Sequence, residues 1–212
     1  MLTTEMTESE PRWPALAAMF AVAGLRYAMP SALTIGPDWL LAMVVVILGG
    51  ILIVSHHGGW HDTNRTVGFV QTGLVTADML ASLSLLIARL PAHKETPQQL
   101  LIAAAGIWVS NILVFASWYW RLDGGGPHAR DLRDEHETGA FVFPQMTLPE
   151  NARAGWKPGF VDYLFLAFNT STAFSPTDVP VLSRWAKLLM MLQSIISLGT
   201  VAVLAARAIN VL

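Results

Sequence analysis

Residues 160–178 read FVDYLFLAFNTSTAFSPTD. The first half is apolar, with Tyr163, Leu164, Phe165, Leu166, Ala167 and Phe168 in succession. The second half turns polar through Asn169, Thr170, Ser171 and Thr172, then Ser175, Pro176, Thr177 and Asp178. An apolar run near ten residues cannot cross the hydrocarbon layer, which takes about 20. A short apolar run followed by a polar turn predicts a re-entrant half-helix over 160–173 and a turn over 174–180. Irregular backbone at membrane depth is tolerated only where it is buried in protein or lines a water-filled cavity. The turn is therefore expected to face protein or a pore. The alternative is an amphipathic helix lying at the surface before the last span.

The membrane setting comes from composition. Of 212 residues, 53 % are hydrophobic and 13 % charged, and the mean hydropathy is +0.48. A soluble domain carries roughly a quarter charged residues, so an all-α integral membrane protein is expected. The net charge of −2 offers no basic stripe for nucleic acid. With no cysteine, disulfides, thiolate catalysis and Cys-ligated metal centres are excluded. No nucleophile–base motif or phosphate loop points to an enzyme, and no cofactor motif is present.

Five apolar runs are candidate spans: 13–29, 39–55, 67–88, 100–120 and 188–206. The first is the shortest and contains Arg26; a four-span arrangement leaves it at the interface. Pro14 suits the first turn of a helix. Trp118, Tyr119 and Trp120 form an interfacial belt. The start of the chain is acidic, unlike a signal peptide. Residues 121–157 are polar and rich in Gly and Pro, and are expected to be an extramembrane loop with little regular structure.

The order outer helix, polar loop, half-helix, polar turn, inner helix resembles the pore module of tetrameric cation channels. There a stretch such as D-A-L-Y-F-S-V-V-T-L-T-T-V-G-Y-G-D supplies pore helix and filter. Asp162, Leu164, Thr170, Thr172 and Asp178 are identical to it, and Phe165 keeps an aromatic. The filter positions differ: Phe174, Ser175, Pro176 and Thr177 replace valine, glycine, tyrosine and glycine. A potassium filter needs aligned carbonyls, and Thr177 and Pro176 oppose that backbone. Residues 162–210 also resemble the C-terminal part of a family of bacterial inner-membrane proteins of unestablished function. That family has a D-x-L-Y-F-x-F half-helix, a T-F-x-x-S-D turn and an S-R pair. The corresponding half-helix positions read Asp162, Leu164, Phe165, Leu166 and Phe168, the turn reads Ala173, Phe174, Thr177 and Asp178 with Ala173 and Thr177 departing, and the pair is Ser183 and Arg184.

These resemblances imply a tail over 1–12, a three-span bundle over 13–97 and a channel-like module over 98–212. Within the module lie an outer helix 100–120, loop 121–158, half-helix 160–173, turn 174–180 and inner helix 182–212. The implied function is a homo-oligomeric pore, by resemblance a tetramer, without a potassium filter and with a monovalent ion as a possible partner. Thr170, Thr172, Phe174, Ser175, Pro176, Thr177 and Asp178 are its candidate lining, and Arg184 would brace the turn through Asp178.

Asp78 lies in the middle of an apolar span. An ionised carboxylate there costs about 2.5–3.5 kcal/mol, so it must face the bundle, a cavity or a partner, or be protonated. Asn111, Gln193 and Arg26 are candidate partners. Asp78 reads either as a proton or cation site of a transporter or sensor, or as a buried acid that fixes packing. A non-conducting scaffold is a third reading of the chain. His56, His57 and His61 are weak metal candidates beside a Gly-Gly-Trp turn; solvated histidines at a membrane boundary are the alternative. Lysine and arginine counting favours the loop inside, through Arg121, Arg130, Arg133, Arg153 and Lys157. The pore-module resemblance favours loop 121–158 outside an inner membrane, and that orientation is the expectation adopted.

Overall fold

A computed structural model describes residues 10–89, 96–133, 139–149, 152, 156–175 and 178–211. Seven α-helices occur among them, with no sheet. They are α1 (Trp13–Ala28), α2 (Trp39–His57), α3 (His61–Arg89), α4 (Pro97–Leu122), α5 (Pro127–Asp131), α6 (Phe160–Ala173) and α7 (Arg184–Val211).

Local chemistry sets most of the boundaries. Pro14 opens α1, and Met29 leaves it in extended geometry before Pro30. Gly59, at φ 70°, makes the tight turn between α2 and α3. At α4 a capping box forms: Thr96 Oγ1 accepts from the Gln99 amide at 3.3 Å, and Gln99 Oε1 accepts from the Thr96 amide at 2.9 Å. At α6 the Asp162 carboxylate accepts from the Gly159 amide at 2.8 Å, and Phe174 ends the helix in the left-handed region at φ 53°.

Four helices among the described residues are long and apolar enough to cross a membrane: α2, α3, α4 with its short extension to Gly125, and α7 up to Ala205. α1 has 16 residues, or about 24 Å of rise against a hydrocarbon core near 30 Å. It therefore falls short of the fifth span expected by length alone.

α4 is the central element. It packs against α1, α3, α6 and α7. Of its apolar stretch 67 % is buried within the chain, against 28 % for α2 and α7. Small residues on α4, namely Ala103, Ala104, Gly106 and Ala116, let its neighbours approach closely. At Gly106 the Met29 Cε lies only 2.8 Å from where a Cβ would stand. By contrast α2 presents Met43, Val46, Ile47, Ile51 and Val54 outward, an apolar face suited to lipid.

The 121–157 region is more ordered than a structureless loop. α4 runs on to Leu122, α5 follows, and a 3-10 turn spans Pro144–Thr147. Phe141 and Val181 form an antiparallel bridge, flanked by Leu182 N–H to Ala140 O at 2.8 Å and Val142 N–H to Pro180 O at 3.0 Å. Aromatic side chains drive this order. Phe141 is fully buried and packs edge-on against Tyr119, Tyr163 and Trp185.

Candidate functional site

The half-helix α6 begins and ends its excursion at one end of the bundle. Its first turn lies beside the end of α4, where Trp120 meets Phe160 edge-on and the Tyr163 hydroxyl donates to Asp123 Oδ2 at 2.7 Å. After the turn, Val181 is back beside Phe141, and Ala140 N–H is held by the other Asp123 oxygen at 2.5 Å. The tip of α6 reaches Ser197 of α7, whose hydroxyl donates to Ser171 O at 2.6 Å. Ser197 stands 13 residues along from Arg184, or about 20 Å into the bundle. Fourteen residues of α6 thus descend to mid-depth and the chain returns.

The tip is moored by a polar knot. Gln193 is fully buried. Its amide nitrogen donates to Ala167 O at 2.7 Å and Ser171 Oγ at 2.8 Å, and its oxygen accepts from the Tyr119 hydroxyl at 2.6 Å. Asn111 Nδ2 donates to Gln193 O at 3.1 Å, and Trp108 Nε1 donates to Ser197 Oγ at 3.0 Å. Asn111 and Gln193 therefore belong to this knot and are not the partners of Asp78. Polar groups at this depth must be satisfied within the chain, and α4, α6 and α7 do so jointly.

The turn residues divide. Thr170 is buried, with its hydroxyl donated to Leu166 O at 2.8 Å, so it is not a free axial hydroxyl. Thr172, Phe174, Ser175 and Asp178 are exposed. Pro176 and Thr177 lie outside the described residues. A cavity of about 680 Å³ adjoins the turn, lined by Thr170, Phe174, Ser175, Lys187, Met191 and Ser194. No ion pair joins Asp178 to Arg184; both side chains are exposed. The expected bracing is replaced by the Phe141–Val181 bridge, which holds the return segment through its backbone.

Asp78 pairs with Arg26 through Oδ1 and Nη1. Arg26 is 2 % exposed, and its Nη2 donates to Ile35 O at 2.6 Å. The ion pair ties α1 and the segment after it to α3. An acid held to a guanidinium in this way acts as a packing clasp between the two helices.

A second charged cluster closes the loop end. Arg130 is buried and donates through Nη1 to Trp120 O and Asp123 O, both at 2.8 Å, and through Nη2 to Glu10 Oε2 at 3.0 Å. The Trp120 indole donates to Glu10 Oε1, the Glu10 amide donates to Asp131 Oδ1 at 3.1 Å, and Arg12 pairs with Asp131. Sequence reading missed this cluster. Its only signal was a mixture of charges around the GGGP turn, and the partners lie some 120 residues apart.

No group of three metal-ligating side chains occurs among the described residues. His61 instead stacks on His128, with ring centroids 3.6 Å apart and planes 7° from parallel. His56 and His57 lie close by on α2, their rings 5.7 Å apart. The proton affinity of His128 is lowered by partial burial, then by His61 and Arg12, with Asp131 opposing. The unfolded chain thus binds this proton more tightly than the folded one. The contribution of the stack is full above the unfolded value of about 6.5 and is lost as pH falls through it. Thermal midpoints of the detergent-solubilised protein at pH 7.5 and 5.5 are expected to show lower stability at 5.5, with a smaller difference in His128→Gln. An equal difference in both proteins would mean that other groups carry the effect.

No family model, curated protein or solved structure matches the chain.

Proposed function

We propose that this chain is a channel-like, multi-pass protein of a bacterial inner membrane that assembles as a homo-oligomer, with the turn after α6 facing the shared axis. The observation that carries the reading is the excursion of α6 to mid-depth and back to the same end of the bundle. One copy has one half-helix and cannot enclose a pore, so several copies are required. In this reading α1 is braced against α3 by Arg26–Asp78. The exposed residues Thr172, Ser175 and Asp178, and the outward row Leu188, Met191 and Ile195 of α7, form the seam between copies. The loop end lies outside the cytoplasm.

Single cysteines at Thr172, Ser175 and Asp178 test this, since no native thiol interferes. The expected result is inter-subunit disulfide formation at one of them at least, in protein shown by native mass spectrometry to be oligomeric. A monomer, or an oligomer with no cross-link at all three positions, overturns the reading. The pore is also expected not to select potassium over sodium, because Ser175, Pro176 and Thr177 stand where a carbonyl filter needs glycines. Reconstituted protein that passes potassium while excluding sodium would contradict this.

A further inference from the structure

The loop end holds another feature, separate from the half-helix and independent of the pore reading. Two adjoining cavities of about 360 and 350 Å³ open among α1, α2, α3, α4 and α5, and Arg12, His56, Asn64 and Arg121 line both. Arg65 lines the second. The acids on these walls are Glu10, Asp62 and Asp131. Glu10 is taken up by Arg130, and Asp131 by Arg12. Arg65 and Arg121 have no carboxylate partner among the described residues.

Arg121 is the unusual group. Its Nε donates to Thr72 Oγ1 at 3.1 Å, and its guanidinium carbon lies 5.2 Å from the Trp120 ring centre. Neither terminal nitrogen has a hydrogen-bond acceptor among the described residues. The backbone makes room for it: a Cβ on Gly68 would stand 1.9 Å from Nη1. Arg121 is half-buried, and its unspent fork faces the cavities, where an anion can complete it. Its planar donor pair matches a phosphate or carboxylate bidentately. Several cationic side chains around one space favour the more highly charged of these.

We propose that these joined cavities bind a phosphate group, gripped by Arg121, with Arg65 at the rim and Arg12 on the α1 wall. Trp13 and Trp60, 69 % and 61 % exposed, stand at the same end, as an interfacial belt does. The phosphate therefore comes either from an anionic phospholipid headgroup at that level or from free inorganic phosphate in the adjoining water.

The full-length protein is assayed for thermal stabilisation by inorganic phosphate in detergent. It is assayed separately in nanodiscs of phosphatidylglycerol against phosphatidylcholine. A response to phosphate identifies the free anion; a response to phosphatidylglycerol alone identifies the headgroup. In either arm Arg121→Gln is expected to weaken apparent affinity by about tenfold or more. Gly68→Ala does the same with the arginine still present, because the added methyl displaces the guanidinium. Arg184→Gln, exposed at the same end but off the cavity walls, leaves the response unchanged. If Arg121→Gln does not fold, Gly68→Ala and Arg65→Gln carry the test. No stabilisation of the wild type by either probe overturns the proposal, as does an equal response in wild type and Gly68→Ala.

Discussion

Asp78→Ala is expected to destabilise the bundle by about 3–5 kcal/mol. Arg26 would stay buried, keep the Ile35 carbonyl and lose its counter-charge. The cost comes from an uncompensated cation, so it depends on what replaces the acid. Asp78→Asn loses less, because its amide oxygen still accepts from the guanidinium. Asp78→Lys loses most, because it sets a second cation against the first. Replacing both partners with apolar residues, as in Arg26→Met with Asp78→Leu, is expected to recover much of the loss. Denaturant unfolding in mixed micelles reads all four. If Asp78→Ala unfolds at the wild-type midpoint, the pair does not hold α1 to α3.

Gln193→Leu is expected to cost about 2–4 kcal/mol, and the damage falls on the half-helix. Leucine fits the space but leaves the buried Tyr119 hydroxyl without an acceptor, and removes the two bonds that hold Ala167 and Ser171. α6 then keeps its apolar packing against α4 and the Ser197–Ser171 bond, and loses the Gln193 bonds that tie it to α7. Hydrogen exchange should speed up across Phe160–Ala173 while α2 and α3 stay protected. Uniform loss of protection in every helix would mean that Gln193 supports the whole bundle and not this element.

The helix over 160–173 was legible in the sequence, because an abrupt change from apolar to polar residues is a strong local signal. Asp78 was legible as an acid in need of a partner for a similar reason: a carboxylate within an apolar run stands out. Its partner was not, since Arg26, Asn111 and Gln193 are equally polar intruders and only packing assigns depth and face. The Glu10–Arg130 contact left only a mixture of charges, which is not distinctive because charged residues in a polar segment are ordinarily solvated. Arg121 was hidden likewise, counted as one more loop cation until Gly68 was found to make room for it. The 121–157 region misled through its glycines and prolines. They do mark turns, at Gly124, Gly125 and Gly126, but Phe141 and Phe143 anchor the stretch by burial.

The contact of Glu10 with Arg130 and Asp131 has a consequence for biosynthesis. A ribosome adds about 5–20 residues per second, so α1 emerges on the order of ten seconds before the groups that latch its start. During that interval α1 lacks the bonds that hold its start. The latch then shuts only if residues 10 and 130 reach the same side of the membrane. The start of α1 is thus fixed late, by groups more than a hundred residues further along the chain.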